Sequence, residues 1–352
     1  MPICLAFPSS FELLRLRRVL RADGGLPVDA GPVPLSGERF SEFERLPGTF
    51  RAPTDEELAC WLERRPGRCS TLRAPVHVYV PDDRDRRRSA MRTCAVGRAY
   101  LPYGAFTEMD GAWVPTPEYC FVEAGCFMSL AEQVLLGMEL CGAYTLGEEG
   151  SQNGFVRTAT VTTRSRLMKF CAAAPRLRGV GQARRAAEFV LNGSASPAES
   201  RLAAILFFPK RLGGYGLPPG QLNRRREMVV ARQADRPAHR VVVPDISWDG
   251  GTVVVEYDSS SYHAAPSLLS HDARRRNELV SCGLDVLIVT GNQLNSIRDM
   301  DAFVLQLCRK MGWRWRRPAK REEWERSQDA LRCALGLRVD RSDFDGWQPV
   351  VI

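Results

Sequence analysis

The carboxy-terminal half of the chain alternates short β-branched runs with turn residues. Val241, Val242 and Val243, followed by Ile246 and Trp248, form one run, and Val253, Val254 and Val255 form another, with Asp249, Gly250 and Gly251 between them. Such runs bounded by Asp and Gly read as strands, and a turn of this composition predicts that the two pair as an antiparallel hairpin. A third run, VLIVT over 286–290, follows Gly283 and predicts another strand. Residues 223–232 are expected to precede these as a first strand, although four arginines interrupt its apolar character.

Helical spacing with start signals accounts for much of the remainder. Ser9 with Glu12, Thr54 with Glu57, and Ser129 with Glu132 each have the S/T-x-x-E pattern of a capping box ahead of an apolar stripe. They predict a helix carrying Leu13, Leu14, Leu16 and Val19, a short one through Trp61 and Leu62, and one over 130–140 ending at Gly142. Ser196, Pro197 and Glu199 place the preferred residues at N-cap, N1 and N3 of a helix running to Leu206. Further helices are expected over 164–174, 179–191 and 297–311. Another, over 268–282, should turn Leu268, Leu269, Leu279 and Val280 inward. Residues 313–326, which mix Trp with Arg, Lys and Glu, read as an ordinary helix. VHVYV over 76–80 alternates as a strand, and 99–103 and 113–115 are shorter ones. The Gly- and Pro-rich segment 26–48 reads as loop with short extended pieces, and 212–220 as a loop; the second is no phosphate cradle, since no GK[ST] follows it and no helix opens from it. Residues 84–88 form a basic loop, read as a solvated turn.

The sharpest break in composition is NGSAS over 192–196. It divides the chain into a mixed α+β amino-terminal domain over 1–191, an α/β domain over 192–317 and a helical tail over 318–352.

Composition narrows the setting. At 352 residues and 44% hydrophobic, the chain can bury two cores. Its greasiest region, 120–144, is interrupted by Glu123, Glu132 and Glu139, so no membrane span is expected, and the first residues lack the basic start of a secretion signal. A cytoplasmic location is expected. Eleven cysteines without a CxxC pair predict reduced, mostly buried thiols, with Cys120, Cys126 and Cys141 packed in a core. The net charge is +8, and 45 of the 49 basic residues are Arg. Guanidinium groups suit phosphate, yet a chain-wide Arg bias also follows from gene composition.

The chemistry gathers at the hairpin. Residues two apart on a strand share a face, so Glu256 and Asp258 project together, and Asp245 on the partner strand can be brought beside them. Two carboxylates about 4 Å apart repel by roughly 1 kcal/mol in water and about 4 at an effective dielectric of 20, so the cluster requires a cation or raised pKa values. Carboxylate oxygens left partly open are what Mg²⁺ or Mn²⁺ takes when it also holds a phosphate. Arg274, Arg275 and Arg276 on the following helix could hold that phosphate, or simply form a solvated face. His263 and His271, two of only four histidines, fall in the same segment.

Pro244-Asp245, ten residues, then Glu256-Tyr257-Asp258 resembles the signature of the PD-(D/E)xK nuclease superfamily. The closer resemblance is to a branch similar to very-short-patch-repair endonucleases: EYDS, then Tyr262-His263, DARRR from Asp272 to Arg276, Gly283 and the strand ending at Thr290. The likeness covers roughly 196–315. It implies a restriction-endonuclease-like αβββαβ core with Asp245 and Glu256 holding the metal, Asp258 and Glu199 completing its shell, and His263 or Arg275 assisting water or phosphate. Asp258 stands where the superfamily has lysine, as in that branch, and Ser259 replaces the usual Gly. In the amino-terminal part, VHVYV, VPTPEYCF and SLAEQVLLGMELCGAY more loosely resemble proteins related to AbiEi-type antitoxins of abortive-infection systems.

Two functions follow. One is a divalent-metal-dependent endonuclease that cleaves DNA. The other is a DNA-binding regulator or antitoxin-like protein that keeps a degenerate nuclease fold and works with a protein partner from a defence or toxin–antitoxin system. The amino-terminal helix–loop–helix is either a degenerate helix-turn-helix or a packing unit.

Overall fold

A computed structural model describes residues 3–24, 43–44, 52–63, 72, 75–80, 84, 86, 89–96, 101–102, 104–109, 111–147, 154–230, 238–258 and 266–337. The chain forms two compact units, Met1–Asn192 and Gly193–Ile352, each combining helices and sheets. No helix among the described residues is long and apolar enough to cross a membrane.

The first unit contains β1 (Ile3–Cys4), α1 (Ser9–Ala22), β2 (Phe43–Glu44), α2 (Asp55–Glu63), β3 (Val76–Val80), β4 (Arg92–Val96), β5 (Leu101–Pro102), β6 (Phe106–Met109), β7 (Ala112–Pro115), α3 (Pro117–Ala124), α4 (Leu130–Leu140), β8 (Tyr144–Leu146), β9 (Phe155–Arg157), α5 (Arg164–Ala173) and α6 (Val180–Ala187). Its largest sheet has the order β1-β7-β6, with β1 parallel to β7; β3 and β4 form a separate parallel pair. Both helices of the greasy region are buried over most of their surface, α3 along its whole length. Gly137 permits the close packing of α4: a Cβ there would lie 2.5 Å from Val190 and 2.8 Å from Phe121. The Ser129–Glu132 capping box opens α4, and Thr54 and Glu57 cap α2 reciprocally. The box expected at Ser9 does not form. α1 already begins at Ser9, whose hydroxyl accepts instead from the His77 backbone N–H at 3.0 Å.

The second unit runs α7 (Pro197–Phe207), a 3₁₀ turn (Lys210–Leu212), β10 (Gln221–Leu222), β11 (Arg226–Val230), β12 (Ala238–Val242), β13 (Ile246–Ser247), β14 (Val253–Asp258), α8 (Pro266–Ser281), β15 (Asp285–Thr290), α9 (Gly291–Asn295), α10 (Ile297–Met311) and α11 (Arg321–Ala334). Four strands form one sheet in the order β10-β13-β14-β15. The first two pairings are antiparallel. β14 and β15 are parallel from Val253↔Asp285 to Asp258↔Thr290, and α8 supplies the crossover such a pair needs. Val253, Val254 and Val255 are all buried, as a strand covered on both faces requires.

One expected strand starts later and another is divided. Within 223–232, Asn223 turns the chain with φ 47° after β10 ends at Leu222, and the strand is β11 from Arg226, which pairs with β12 and not in the four-stranded sheet. The run 241–248 breaks at Val243-Pro244-Asp245. The valines before the break pair with β11 in a separate ribbon, and only Ile246 and Ser247 join β14. Pro has no N–H for a ladder, and it restricts the residue before it. Val241 and Val243 are 47% and 41% exposed accordingly. The hairpin turn itself is present, with Gly250 at φ 69°.

Three further expectations change. Val280 faces outward, 55% exposed, while Leu279 joins Val242, Val254, Cys282 and Leu284 in the core. The helix expected from residue 313 begins only at Arg321. Trp313 before it packs edge-on to Trp248 at 5.4 Å, and Trp315 packs on Tyr215 and Trp324, so these half-buried indoles lie against core aromatic rings of the unit. α11 is therefore no tail: Trp324 and Leu331 are buried within the second unit.

Candidate active site

Three elements converge on one charged centre. Ser196 caps α7 by accepting from the Glu199 N–H at 3.2 Å, which sets the Glu199 carboxylate at the start of the helix. Its Oε1 accepts from the Ser196 hydroxyl at 3.0 Å. Its Oε2 accepts from the Ala195 N–H at 2.8 Å and from Asn223 Nδ2 at 2.5 Å. Asn223 is the hinge between β10 and β11, and its own N–H donates to the Asp245 carbonyl at 3.0 Å. The turn that ends β10 thus fixes Glu199 on one side and Asp245 on the other.

Asp245 and Glu256 face each other across the antiparallel pair. The Asp245 N–H donates to Glu256 Oε1 at 2.9 Å, and the Tyr257 N–H donates to Asp245 Oδ2 at 2.8 Å. Arg275 of α8 completes the pair: Nη2 meets Asp245 Oδ1 at 2.6 Å and Nε meets Glu256 Oε2 at 3.2 Å. A third bond, from Nη2 to the Val243 carbonyl at 3.1 Å, ties the guanidinium to the break between β12 and β13. Asp245 is 5% exposed.

The charges set one another. Burial first, and then the Asp245 carboxylate, push the Glu256 carboxyl up to about 7, although Arg275 pulls it down. Burial and Asp245 also raise Glu199, against the hydrogen bonds it accepts. Burial alone would weaken the charge on Arg275, but Asp245 and Glu256 outweigh it and hold the guanidinium protonated. A carboxyl that exchanges its proton near neutrality, beside an arginine able to hold an oxyanion, suits general acid–base work.

Not every expected residue joins this centre. Asp258 lies two residues further along β14 and pairs with Arg276 at 3.6 Å. Arg274 is exposed. Of the three arginines, only Arg275 enters the cluster, and it engages carboxylates where a phosphate contact was expected. His263 lies outside the described residues, as does the side chain of His271 on α8.

The site does not fit a divalent metal as folded. Among the described residues, no three His, Cys, Asp or Glu side chains are arranged to hold an ion. Every carboxylate oxygen of Glu199, Asp245 and Glu256 already accepts a hydrogen bond or ion pair, and Arg275 holds the space between the last two.

The chain matches no known family model, no curated protein and no solved structure. The geometry of the centre therefore carries the functional argument.

One contributor escaped the sequence reading. Asn223 had a signal: Asn is among the few residues other than Gly that enter the left-handed region readily. Arg275 was expected at the site together with Arg274 and Arg276; what singles it out is that it lies four residues before Leu279 and so shares its inward helical face, while the other two flank that face.

Proposed function

We propose that the second unit is an endonuclease-like domain acting on DNA phosphodiester bonds, with Asp245 and Glu256 as its reacting carboxylates and Arg275 as its phosphate-binding cation. What supports the reading is the convergence of Glu199, Asp245 and Glu256 from a helix N-terminus and two paired strands onto one arginine, at the positions where the sequence resembles the PD-(D/E)xK signature. In this reading Glu256, poised near neutrality, accepts a proton from the attacking water as the phosphorus–oxygen bond to the leaving strand breaks and its oxygen takes a proton from solvent, while the Arg275 charge beside it offsets the charge that builds on the phosphate. The nine cysteines whose side chains are described are all free thiols, in keeping with a reducing cytoplasm.

A second reading is favoured by one observation: all the carboxylate oxygens are internally satisfied. A regulator or antitoxin-like protein, working with a partner from a defence or toxin–antitoxin system, would retain such a centre for structure alone. Supercoiled plasmid incubated with Mg²⁺ or Mn²⁺ separates the two. Under the enzymatic reading wild type nicks it and Glu256→Gln does not. DNA binding without nicking under either ion establishes the regulator.

A further inference from the structure

We propose that the second unit carries a phosphate-binding strip for duplex DNA, separate from the carboxylate centre and additional to α8. It is formed by the end of α10, the segment 313–317 and the 3₁₀ turn at Lys210–Leu212. The inference goes beyond the proposed activity, since a backbone contact of this kind requires no catalysis.

Residues 302–321 contain seven Lys and Arg and no Asp or Glu. Four of the seven are matched by acids from elsewhere: Lys310 by Asp285 at 2.5 Å, Arg317 by Asp301 at 2.6 Å, Lys320 by Glu323 at 3.1 Å and Arg321 by Glu325 at 2.6 Å. The guanidinium groups of Arg309, Arg314 and Arg316 are exposed and have no partner among the described residues. Burial alternates along 313–316. Trp313 and Trp315 turn toward core rings, and Arg314 and Arg316 turn together to solvent.

The backbone beneath these charges is fixed. The Trp313 N–H donates to the Cys308 carbonyl at 2.8 Å, which ties the segment to α10. Lys210 donates to the Arg316 carbonyl at 2.5 Å, and its ammonium lies 5.0 Å from the centre of the Trp315 ring, which ties the segment to the 3₁₀ turn. Arg211, next to Lys210, is likewise exposed and unpaired among the described residues, a fourth free guanidinium at the same end of the unit. That end is not the end of the carboxylate centre. Asp285, the partner of Lys310, pairs with Val253 at the start of β14, and Trp248, against Trp313, adjoins the hairpin turn. Glu256 stands three positions further along, level with Ile288, so about 10 Å separates the two levels at roughly 3.3 Å per residue.

What the strip turns outward decides its partner. Of residues 309–317, every exposed one except Gly312 is Lys or Arg, while both indoles lie against core rings. A membrane-binding surface adds apolar side chains that enter the lipid, and the exposed residues here offer none. Guanidinium groups on a fixed backbone suit the regularly repeated phosphates of a duplex, each of which can accept two parallel N–H bonds. Such contacts hold DNA without reading its sequence.

The test is fluorescence anisotropy of the full chain on labelled duplexes between about 50 and 200 mM salt. Arg314→Ala/Arg316→Ala removes two exposed, unpaired charges and should leave the melting temperature unchanged. It should make the slope of log affinity against log salt shallower by about 1.8, two contacts, and equally so on two duplexes of unrelated sequence. Arg176→Ala/Arg185→Ala removes the same charge from exposed positions of the first unit and should keep the wild-type slope. No binding by wild type at the lowest salt overturns the strip, and so does a slope unaltered in Arg314→Ala/Arg316→Ala. Equal loss in the two double variants also overturns it, because net charge alone would then explain the binding. Capture by phosphatidylserine vesicles that depends on Arg314 and Arg316, with duplex binding intact, overturns it in favour of a lipid surface. A plasmid left intact under Mg²⁺ or Mn²⁺ counts against the enzymatic reading and leaves the strip standing; nicking with an unaltered slope removes the strip alone.

Discussion

Two buried glutamates of the first unit show how a single neighbour decides the state of a carboxyl. Burial would raise Glu139, but Arg15 binds both its oxygens, at 2.9 and 2.6 Å, and the net effect lowers its pKa. Glu123 lies in α3 without such a cation. It accepts from the Tyr79 hydroxyl and the Phe7 N–H, its other oxygen is unpaired, and burial pushes it up to about 8. The unfolded chain releases this proton near 4.5 and the folded chain near 8. Glu123 therefore stabilises least at high pH: the contribution is intact below about 4.5 and is lost as pH rises toward 8, by about 1.4 kcal/mol per unit at most. Glu123→Gln, which stays neutral, should flatten this dependence. Melting of wild type and variant at pH 5 and pH 8 checks it: similar stability is expected at pH 5, and a variant ahead by a few kcal/mol at pH 8. A parallel fall in both proteins would show that Glu123 is not the titrating group.

Whole elements were legible where a local signal was complete. The capping residues at Ser129 and Ser196 and the bounds of α10 at Ile297–Met311 follow from side chains that satisfy their own helix ends. Strand runs were less legible, because a valine run states burial but not partners. Residues 241–243 and 246–248 look continuous, yet Pro244 divides them between two sheets, and no pattern within the run announces the ribbon of β11 and β12. The candidate site was legible as Asp245 with Glu256, which opposed strands bring together. The pairing of Asp258 with Arg276 was not legible, because strand alternation gives the face and not the reach of an arginine from the next helix. Asn223 tests the joint at which these elements meet. Asn223→Ala loses the bond to Glu199 and places a Cβ-bearing residue that disfavours φ 47°, whereas Asn223→Gly loses only the bond. Denaturant unfolding should show the Ala variant less stable than the Gly variant by about 1 kcal/mol. The reverse order would mean that the left-handed turn is not what positions Glu199.

Across the whole molecule, charge is shared unevenly between the units. The second carries 24 Lys and Arg against 19 Asp and Glu, and the first 25 against 22. That excess supplies attraction to a polyanion but no sequence preference, so under the proposed function duplex DNA should bind mainly by displacing counterions. Arg274 is the side chain best suited to report this, because it is exposed and stands outside the carboxylate cluster that engages its neighbour Arg275. The logarithm of affinity should fall linearly with the logarithm of salt, with a slope near −0.9 for each phosphate contacted, which for several contacts is a loss of orders of magnitude between about 50 and 200 mM. Arg274→Ala should make the slope shallower by about one contact and leave the melting temperature unchanged. Fluorescence anisotropy on a labelled duplex measures both proteins across that range. An affinity that stays flat with salt would remove phosphate contact as the basis of binding, whereas a steep slope unaltered in Arg274→Ala would place the contacting surface away from α8.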